Sequence, residues 1–223
     1  MTIEITSGEA SAAGGALLLP IFKDADRRAT LTRIAAQWGA AVDPLLHDFQ
    51  ADAAETQLLY SAQAGRLWLL GLGEAPSFSD VLKAFRSFSH KQRRRLPARL
   101  QLDLRHLPQP NALIEAAVNG LLLGSYRIGR FKTAESDDHP LEQAEATLTI
   151  AVPAAAAEQA RRAAERGRIL ADTQQSIFDL VNAPSNKKRP AELAAWAERS
   201  GDAHGYSVKV FQKKEIEHTG LNA

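Results

Sequence analysis

Apolar runs alternate with polar, turn-forming residues through the first two thirds of the chain. Short apolar runs bounded by Gly, Pro or charged residues predict β-strands. The segments Glu55–Ala62 and Arg66–Leu72 are separated by Ala64-Gly65 and therefore predict a hairpin. Pro20 lies late in the first apolar run and predicts the end of a strand or a bulge there. The predicted strands are residues 15–22, 55–62, 66–72, 100–104 and 146–152.

Between these runs, apolar residues recur every third or fourth position, which is the spacing of an amphipathic helix. In Ser79–Arg94, for example, Val81, Leu82, Phe85 and Phe88 share one face, and Ser79 is placed to cap the first turn. Strands interleaved with helices predict an α/β domain with a mixed sheet flanked by helices. The predicted helices of this part are residues 30–38, 79–94 and 111–123.

The pattern changes at Pro153, which opens a long predicted helix that Pro184 ends. One stripe of this helix carries small and apolar residues, namely Ala160, Ala163, Gly167, Leu170, Ile177 and Val181. Beyond it the sequence predicts a helix at 190–199, a strand at Tyr206–Phe211 and a short helix at 213–218. These three elements cannot enclose a core, so we expect them to be the first elements of a second domain.

Composition narrows the class of protein without naming a function. The chain has 223 residues, a net charge of +1 and no cysteine. Its balance of hydrophobic and charged residues is ordinary for a globular protein, and the small net charge provides no global attraction to nucleic acid or membrane. The absence of cysteine excludes disulfides, thiolate metal sites and a cysteine nucleophile. Residues 1–5 show no basic stretch followed by an apolar one, so we expect no signal peptide here, and the apolar runs are too short to span a bilayer.

Three segments, in the expected order, resemble the leucyl aminopeptidase family. They are Asn119–Arg127 with the following Arg130-Phe131-Lys132, the junction Asp179–Pro190, and Val208–Phe211 with Lys214-Glu215-Ile216 and Gly220-Leu221. Departures occur at Arg189, where the family usually has threonine, and at Ser185-Asn186, where many members have Ala-Asn. The resemblance covers essentially the whole chain, which would be less than half of a full family member.

The resemblance implies a domain plan. Residues 1–152 would form a macro-like N-terminal domain, 153–183 a connector helix, and 184–223 the incomplete start of an α/β peptidase domain. It also implies a cytoplasmic homohexamer that removes N-terminal residues, leucine among them, from peptides. Peptide substrates would be handled by the catalytic domain that this chain lacks.

The resemblance further implies two divalent metal ions, zinc, manganese or magnesium, that activate a bridging water. The family's metal ligands come from motifs such as G-K-G-x-T-F-D-S-G-G and N-T-D-A-E-G-R-L, and neither occurs in this sequence. No residue here matches a catalytic or metal-binding position, so none is assigned. We expect the chain alone to be non-catalytic and to bind no cofactor.

A macro-like binding module is the alternative function, and two motifs could serve it. Gly71-Leu72-Gly73 follows a predicted strand and could approach a nucleotide phosphate, but the third glycine of a phosphate loop is absent and we favour a tight strand-to-helix turn. The basic run Lys91, Arg93, Arg94 and Arg95 could contact nucleic acid. We favour the interpretation as a solvated helix end, where cations oppose the helix dipole, because short basic runs are common and the sequence shows no interleaved aromatic residues.

Asp137-Asp138-His139 offers three residues of metal-ligand types. Adjacent residues rarely converge on one ion, and the following Pro140 predicts an exposed loop, so we do not assign a metal site there. The other histidines show neither ligand spacing nor a nucleophile partner.

Overall fold

A computed structural model describes residues 1–8, 15–24, 26–62, 65–107, 110–128 and 139–220. Six strands form one sheet in the order β1-β6-β5-β2-β4-β3. All neighbouring strands run parallel except β3 and β4, which form an antiparallel hairpin. The predicted mixed α/β fold is therefore confirmed. The strands are β1 (Thr2–Thr6), β2 (Ala16–Ile21), β3 (Thr56–Ser61), β4 (Gly65–Gly71), β5 (Arg99–Asp103) and β6 (Thr147–Ala151).

Seven α-helices lie within the described residues, and every predicted helix is among them. The third begins with a capping box, in which Ser77 Oγ accepts from Asp80 N and the Asp80 carboxylate accepts from Ser77 N. This cap lies two residues before the predicted one. The helices are α1 (Arg27–Trp38), α2 (Val42–Asp48), α3 (Phe78–Gln92), α4 (Pro110–Ser125), α5 (Ala157–Asn182), α6 (Pro190–His204) and α7 (Lys213–Thr219).

The sheet buries apolar side chains on both faces. On one face α1 and α2 cover β2 and β4 through Leu31, Ile34 and Phe49. On the other face α3, α4 and the first part of α5 cover the sheet, with Phe85 and Ile114 among the buried side chains. Successive strand residues point to opposite faces. The near-continuous apolar runs of β2 and β4 therefore fit strands covered on both sides.

The sequence analysis missed one strand and one helix, and it placed the end of one strand at the wrong residue. Neither β1 nor α2 was predicted. Pro20 lies inside β2 rather than at its end. The β2–β5 ladder stops at Leu18, opposite Leu102, so the missing N–H of Pro20 removes no hydrogen bond from that side.

The described residues form two compact units. The first holds residues up to 127 and from 139 to 176, and the second holds Ile128 and residues 177–220. The boundary therefore falls within α5. The domain plan of 1–152, 153–183 and 184–223 follows the family pattern and stays a prediction.

In the first unit, α5 packs closely on α4. A side chain at Gly167 would place its Cβ 2.5 Å from the Glu115 carbonyl oxygen. Arg166 Nε donates to Glu115 Oε2 at 2.7 Å, and Gln175 Nε2 donates to Leu122 O at 2.6 Å. Ala160, Ala163 and Gly167 of the predicted stripe are buried, whereas its later members Leu170, Ile177 and Val181 are exposed.

The prediction of a strand at Tyr206–Phe211 is wrong. These residues form no strand, because no neighbouring strand pairs with them within the described part of the chain. Instead, the chain turns back on α6: the N–H of Tyr206 donates to Gly201 O at 3.2 Å. A Cβ at Gly201 would lie 2.6 Å from the Tyr206 carbonyl oxygen, so this turn needs glycine there.

Within the described residues, no helix is both long enough and apolar enough to cross a membrane.

Candidate functional site

The carboxyl ends of the parallel strands meet at one edge of the sheet, which we call the carboxyl edge. Strand β2 leads into α1 on one face, and its neighbour β5 leads into α4 on the other. In open α/β sheets, ligands bind in the crevice where neighbouring strands lead to opposite faces. The carboxyl edge between β2 and β5 is therefore the first place to look for a site.

Asp103, Arg105 and His106 occupy this crevice. Arg105 holds both carboxylate oxygens of Asp103, with Nε–Oδ1 at 2.9 Å and Nη2–Oδ2 at 2.8 Å. Burial alone would raise the pKa of Asp103, but the hydrogen bonds and charge of Arg105 outweigh it and hold that pKa below its usual value. Since both oxygens are engaged, Asp103 is not free to act as a base or as a metal ligand.

His106 links the two strands across the crevice. Its Nε2 lies 2.8 Å from the carbonyl oxygen of Pro20, so Nε2 carries the proton and donates it. Burial lowers the pKa of His106, and the opposing effects of the Pro20 hydrogen bond and of Asp103 do not reverse this shift. The imidazole is therefore neutral near pH 7.

Two small cavities lie beside His106. Their volumes are about 210 and 330 Å³. Typical small-molecule sites occupy about 300–1,000 Å³, so only the larger cavity reaches the lower end of that range. The smaller is lined by Leu19, Arg33, Ile34, Gln37, Trp38, Asp103, Arg105 and His106. The larger is lined by Ile21, Phe22, Asp24, Asp26, Thr30, His106 and Leu107.

Acidification below about pH 6.5 should destabilise the first unit through His106. Its folded pKa lies below the ordinary histidine pKa of 6.5, so the unfolded chain binds the proton first. The contribution of neutral His106 to the stability of the first unit is fully present above pH 6.5. It is lost as the pH falls through the folded pKa of His106. Thermal melting between about pH 7.5 and 5.5 should therefore show a shallower pH slope in His106→Gln, which keeps a donor for Pro20 O. His218→Gln, which removes a histidine of the second unit, is the control.

The Gly71–Gly73 turn does not offer a phosphate site. The N–H groups of Gly71, Leu72 and Gly73 donate to the carbonyl oxygens of Glu55, Ile21 and Ala51 at 2.8–3.0 Å. A Cβ at Gly71 would lie 2.1 Å from the Asp52 carbonyl oxygen, and Gly73 has φ +82°. Close packing and a left-handed turn therefore explain both glycines, and no N–H of this turn remains for a nucleotide.

His139 of the Asp137-Asp138-His139 cluster is buried, and hydrogen bonds occupy both of its ring nitrogens. Nδ1 accepts from the N–H of Leu141 at 3.1 Å, which leaves Nε2 to donate to Ser89 O at 3.0 Å. Burial lowers the pKa of His139 as well. Asp137 and Asp138 lie outside the described residues. His139 thus anchors a turn and has no nitrogen left for a metal.

The basic run lies at the C-terminal end of α3. Lys91 belongs to the last turn, and Arg93, Arg94 and Arg95 follow it. The structure thus places the run at a helix end, which is compatible with both interpretations. Among the described residues, no group of three or more His, Asp or Glu side chains is placed to hold a metal ion.

Sequence reasoning did not single out Asp103, Arg105 and His106. A usable signal was present, since Asp103 lies near the end of a predicted strand and Arg105 and His106 directly follow that strand. The contact between His106 and Pro20 joins residues 86 positions apart and could not be inferred from the pattern.

Comparison with known proteins relates this fold to one enzyme family. Residues 18–135 match the model of the cytosol aminopeptidase family, N-terminal domain. A probable cytosol aminopeptidase of Chloroherpeton thalassium is 30% identical over 91% of this chain and 43% of its own length. One from Chlorobium luteolum is 32% identical over 78% of this chain and 38% of its own length. The chain therefore spans less than half the length of these relatives.

Solved structures agree with this assignment at the level of the fold. A tomato leucine aminopeptidase mutant superposes with a TM-score of 0.79 at 19% identity, over 99% of this chain and 46% of that one. The bottromycin maturation enzyme BotP superposes with a TM-score of 0.66 at 20% identity, over 93% of this chain and 41% of that one.

Proposed function

The chain belongs to the cytosol aminopeptidase family, and we propose that it forms the N-terminal, non-catalytic part of a metal-dependent aminopeptidase. The parent enzyme would release N-terminal amino acids from peptides. This part would support the architecture of the domains and of the oligomer. The observation that carries the proposal is the match of residues 18–135 to the family's N-terminal domain.

The extent of the matches supports this assignment. The relatives from Chloroherpeton thalassium and Chlorobium luteolum each have more than half of their length outside the region matched by this chain. The tomato enzyme has a similar share outside its matched part. We propose that the peptide-cleaving chemistry belongs to that remaining part.

The described residues do not fit a two-metal centre. Both oxygens of Asp103 are held by Arg105, and both nitrogens of His139 are held by backbone groups. We therefore derive no catalytic step from these residues. Two divalent ions, manganese, zinc or magnesium, would be bound by the remaining part of the parent, and one structural neighbour is titled BotP in complex with Mn.

The second unit supports a role in architecture. It exposes large apolar side chains, which commonly mark interaction surfaces when they lie together. These side chains are Leu193, Tyr206, Phe211 and Ile216, each between 36% and 50% exposed. We propose that the remainder of the parent covers them and that the parent assembles as a homohexamer in the cytoplasm.

Sequencing of the gene beyond the part that encodes this chain tests the proposal. Sequencing the DNA downstream of the codon for Ala223 should reveal an in-frame continuation that encodes the two family motifs with their aspartates, glutamate and lysines. An in-frame stop, with no nearby gene for the missing part, would contradict the assignment of this chain to a catalytic parent.

A further inference from the structure

Uncompensated positive charge is concentrated where α3 ends. After Gln92 the chain turns through Arg93, Arg94 and Arg95 before Leu96 returns to the core. Another arginine, Arg66, lies at the start of β4. We call the set Arg66, Lys91, Arg93, Arg94 and Arg95 the basic edge.

A direct contact places Arg66 beside the other cations. Its Nη1 donates to Arg95 O at 2.7 Å, which joins the start of β4 to the end of α3. Lys91, Arg93, Arg94 and Arg95 follow one another along the chain at that helix end. The five cations therefore lie close together at one end of the first unit.

None of the five cations forms an ion pair with an acid in the part of the chain that the structure describes. The arginines of α5 differ in this respect: Arg161 and Arg162 pair with Glu158, and Arg168 pairs with Glu165 and Asp172. The chain as a whole has a net charge of only +1. Its uncompensated positive charge is thus local, which is the electrostatic footprint of a surface that binds an anionic partner.

An exposed aromatic ring lies beside this charge. Tyr60 of β3 pairs directly with Arg66 of β4, and its side chain is 76% exposed. Directly paired residues have Cβ atoms about 5 Å apart on the same face of the sheet. That face is the one covered by α3, because Trp68, two residues after Arg66, packs edge-on against Phe88. A flat ring next to unpaired guanidinium groups is the combination that stacks unpaired bases while neutralising phosphates.

We propose that the basic edge and Tyr60 together bind single-stranded nucleic acid. The cations contact the phosphates, and a base stacks on the ring of Tyr60. A purely acidic protein partner would use the charge but would have no need of the ring. Duplex DNA would offer phosphates but no unstacked base. This binding is independent of the aminopeptidase assignment.

Fluorescence anisotropy with labelled oligo(dT) of about 20 nucleotides tests the proposal on the whole chain. If four phosphates are neutralised, affinity should fall about fiftyfold between about 50 and 200 mM salt. The Arg93→Ala/Arg94→Ala/Arg95→Ala variant should bind at least about tenfold more weakly at the lower salt, with a salt slope smaller by about 2. Tyr60→Ala should lose about fivefold or more, whereas Tyr60→Phe should keep the affinity.

The control variant removes three positive charges from α5, the same number that the triple variant removes from the basic edge. Arg161→Ala/Arg162→Ala/Arg168→Ala changes only arginines that are already paired with acids, so oligo(dT) binding should stay within about twofold of wild type. Circular dichroism confirms the fold of each variant. If the triple variant of the basic edge does not fold, Lys91→Ala/Arg94→Ala, which alters two exposed side chains, takes its place.

Three results would overturn the proposal. One is the absence of salt-dependent binding at about 50 mM salt with up to about 100 μM protein. Another is an equal loss of binding in the basic-edge variant and in the α5 control. The third is unchanged oligo(dT) binding in Tyr60→Ala together with equally tight binding of heparin, which would show that the surface recognises charge alone.

Discussion

Replacing Gly120 by valine should cost the first unit about 3 kcal/mol or more, at the upper end of the range for overpacking. The reason is the close approach of α4 to α3. A Cβ at Gly120 would lie 2.5 Å from the Leu82 carbonyl oxygen and 2.9 Å from the Cβ of Phe85. The first of these neighbours is backbone, so no change of side-chain rotamer relieves the clash.

The close contact extends along the helix pair. A Cβ at Gly124, one turn later, would lie 2.5 Å from the Arg86 carbonyl oxygen. Valine at Gly120 therefore forces the two helices apart and also uncovers Phe85 and Val118, both fully buried. Because a domain is stable by only about 5–15 kcal/mol, this loss is a large share of the total.

Thermal melting measures this loss. A domain of this size should melt about 6–12 °C lower for a loss of about 3 kcal/mol. The matched control is Ala36→Val on the exposed side of α1, which adds the same branched side chain at the cost of helix propensity alone, about 0.6 kcal/mol. If Gly120→Val melts within about 2 °C of this control, the close helix contact does not exist.

The elements that the sequence predicted are those with strong local patterns. The apolar run of β2 and the amphipathic, capped α3 both appear close to their expected bounds. By contrast, α2 has only seven residues, too few for a clear periodicity. Strand β1 lies at the edge of the sheet with half-exposed residues, and its pairing with β6 comes from the far end of the first unit.

The failed strand prediction has a different cause. The apolar and β-branched residues of Tyr206–Phe211 favour an extended backbone, but a strand also requires a partner strand. Propensity is local, whereas pairing is a property of the whole fold.

The candidate sites show the same division between local and long-range information. The sequence identified the glycines at 71 and 73 and the cations at 91–95 as chemically interesting residues. Only the structure shows that the backbone N–H groups of Gly71 and Gly73 are already bonded, and that Arg93 and its neighbours have no acid partner among the described residues. The unassigned crevice at His106 likewise depends on a contact between distant strands.

The second large effect concerns activity. If the peptide-cleaving site lies in the part of the parent that this chain does not match, the purified chain should not hydrolyse leucine p-nitroanilide. Added Mn²⁺ or Zn²⁺ should make no difference, because the described residues of the chain offer no cluster of metal ligands. Wild-type tomato leucine aminopeptidase, assayed in parallel, serves as the positive control.

Metal-dependent hydrolysis is thus the measurement that tests the central claim most directly. The prediction is a rate equal to that of the buffer for the chain, beside turnover of about 1 s⁻¹ or more for the control enzyme. Hydrolysis that rises in proportion to chain concentration, requires the divalent ion and is abolished by EDTA would contradict the claim that this chain is the non-catalytic part of the enzyme.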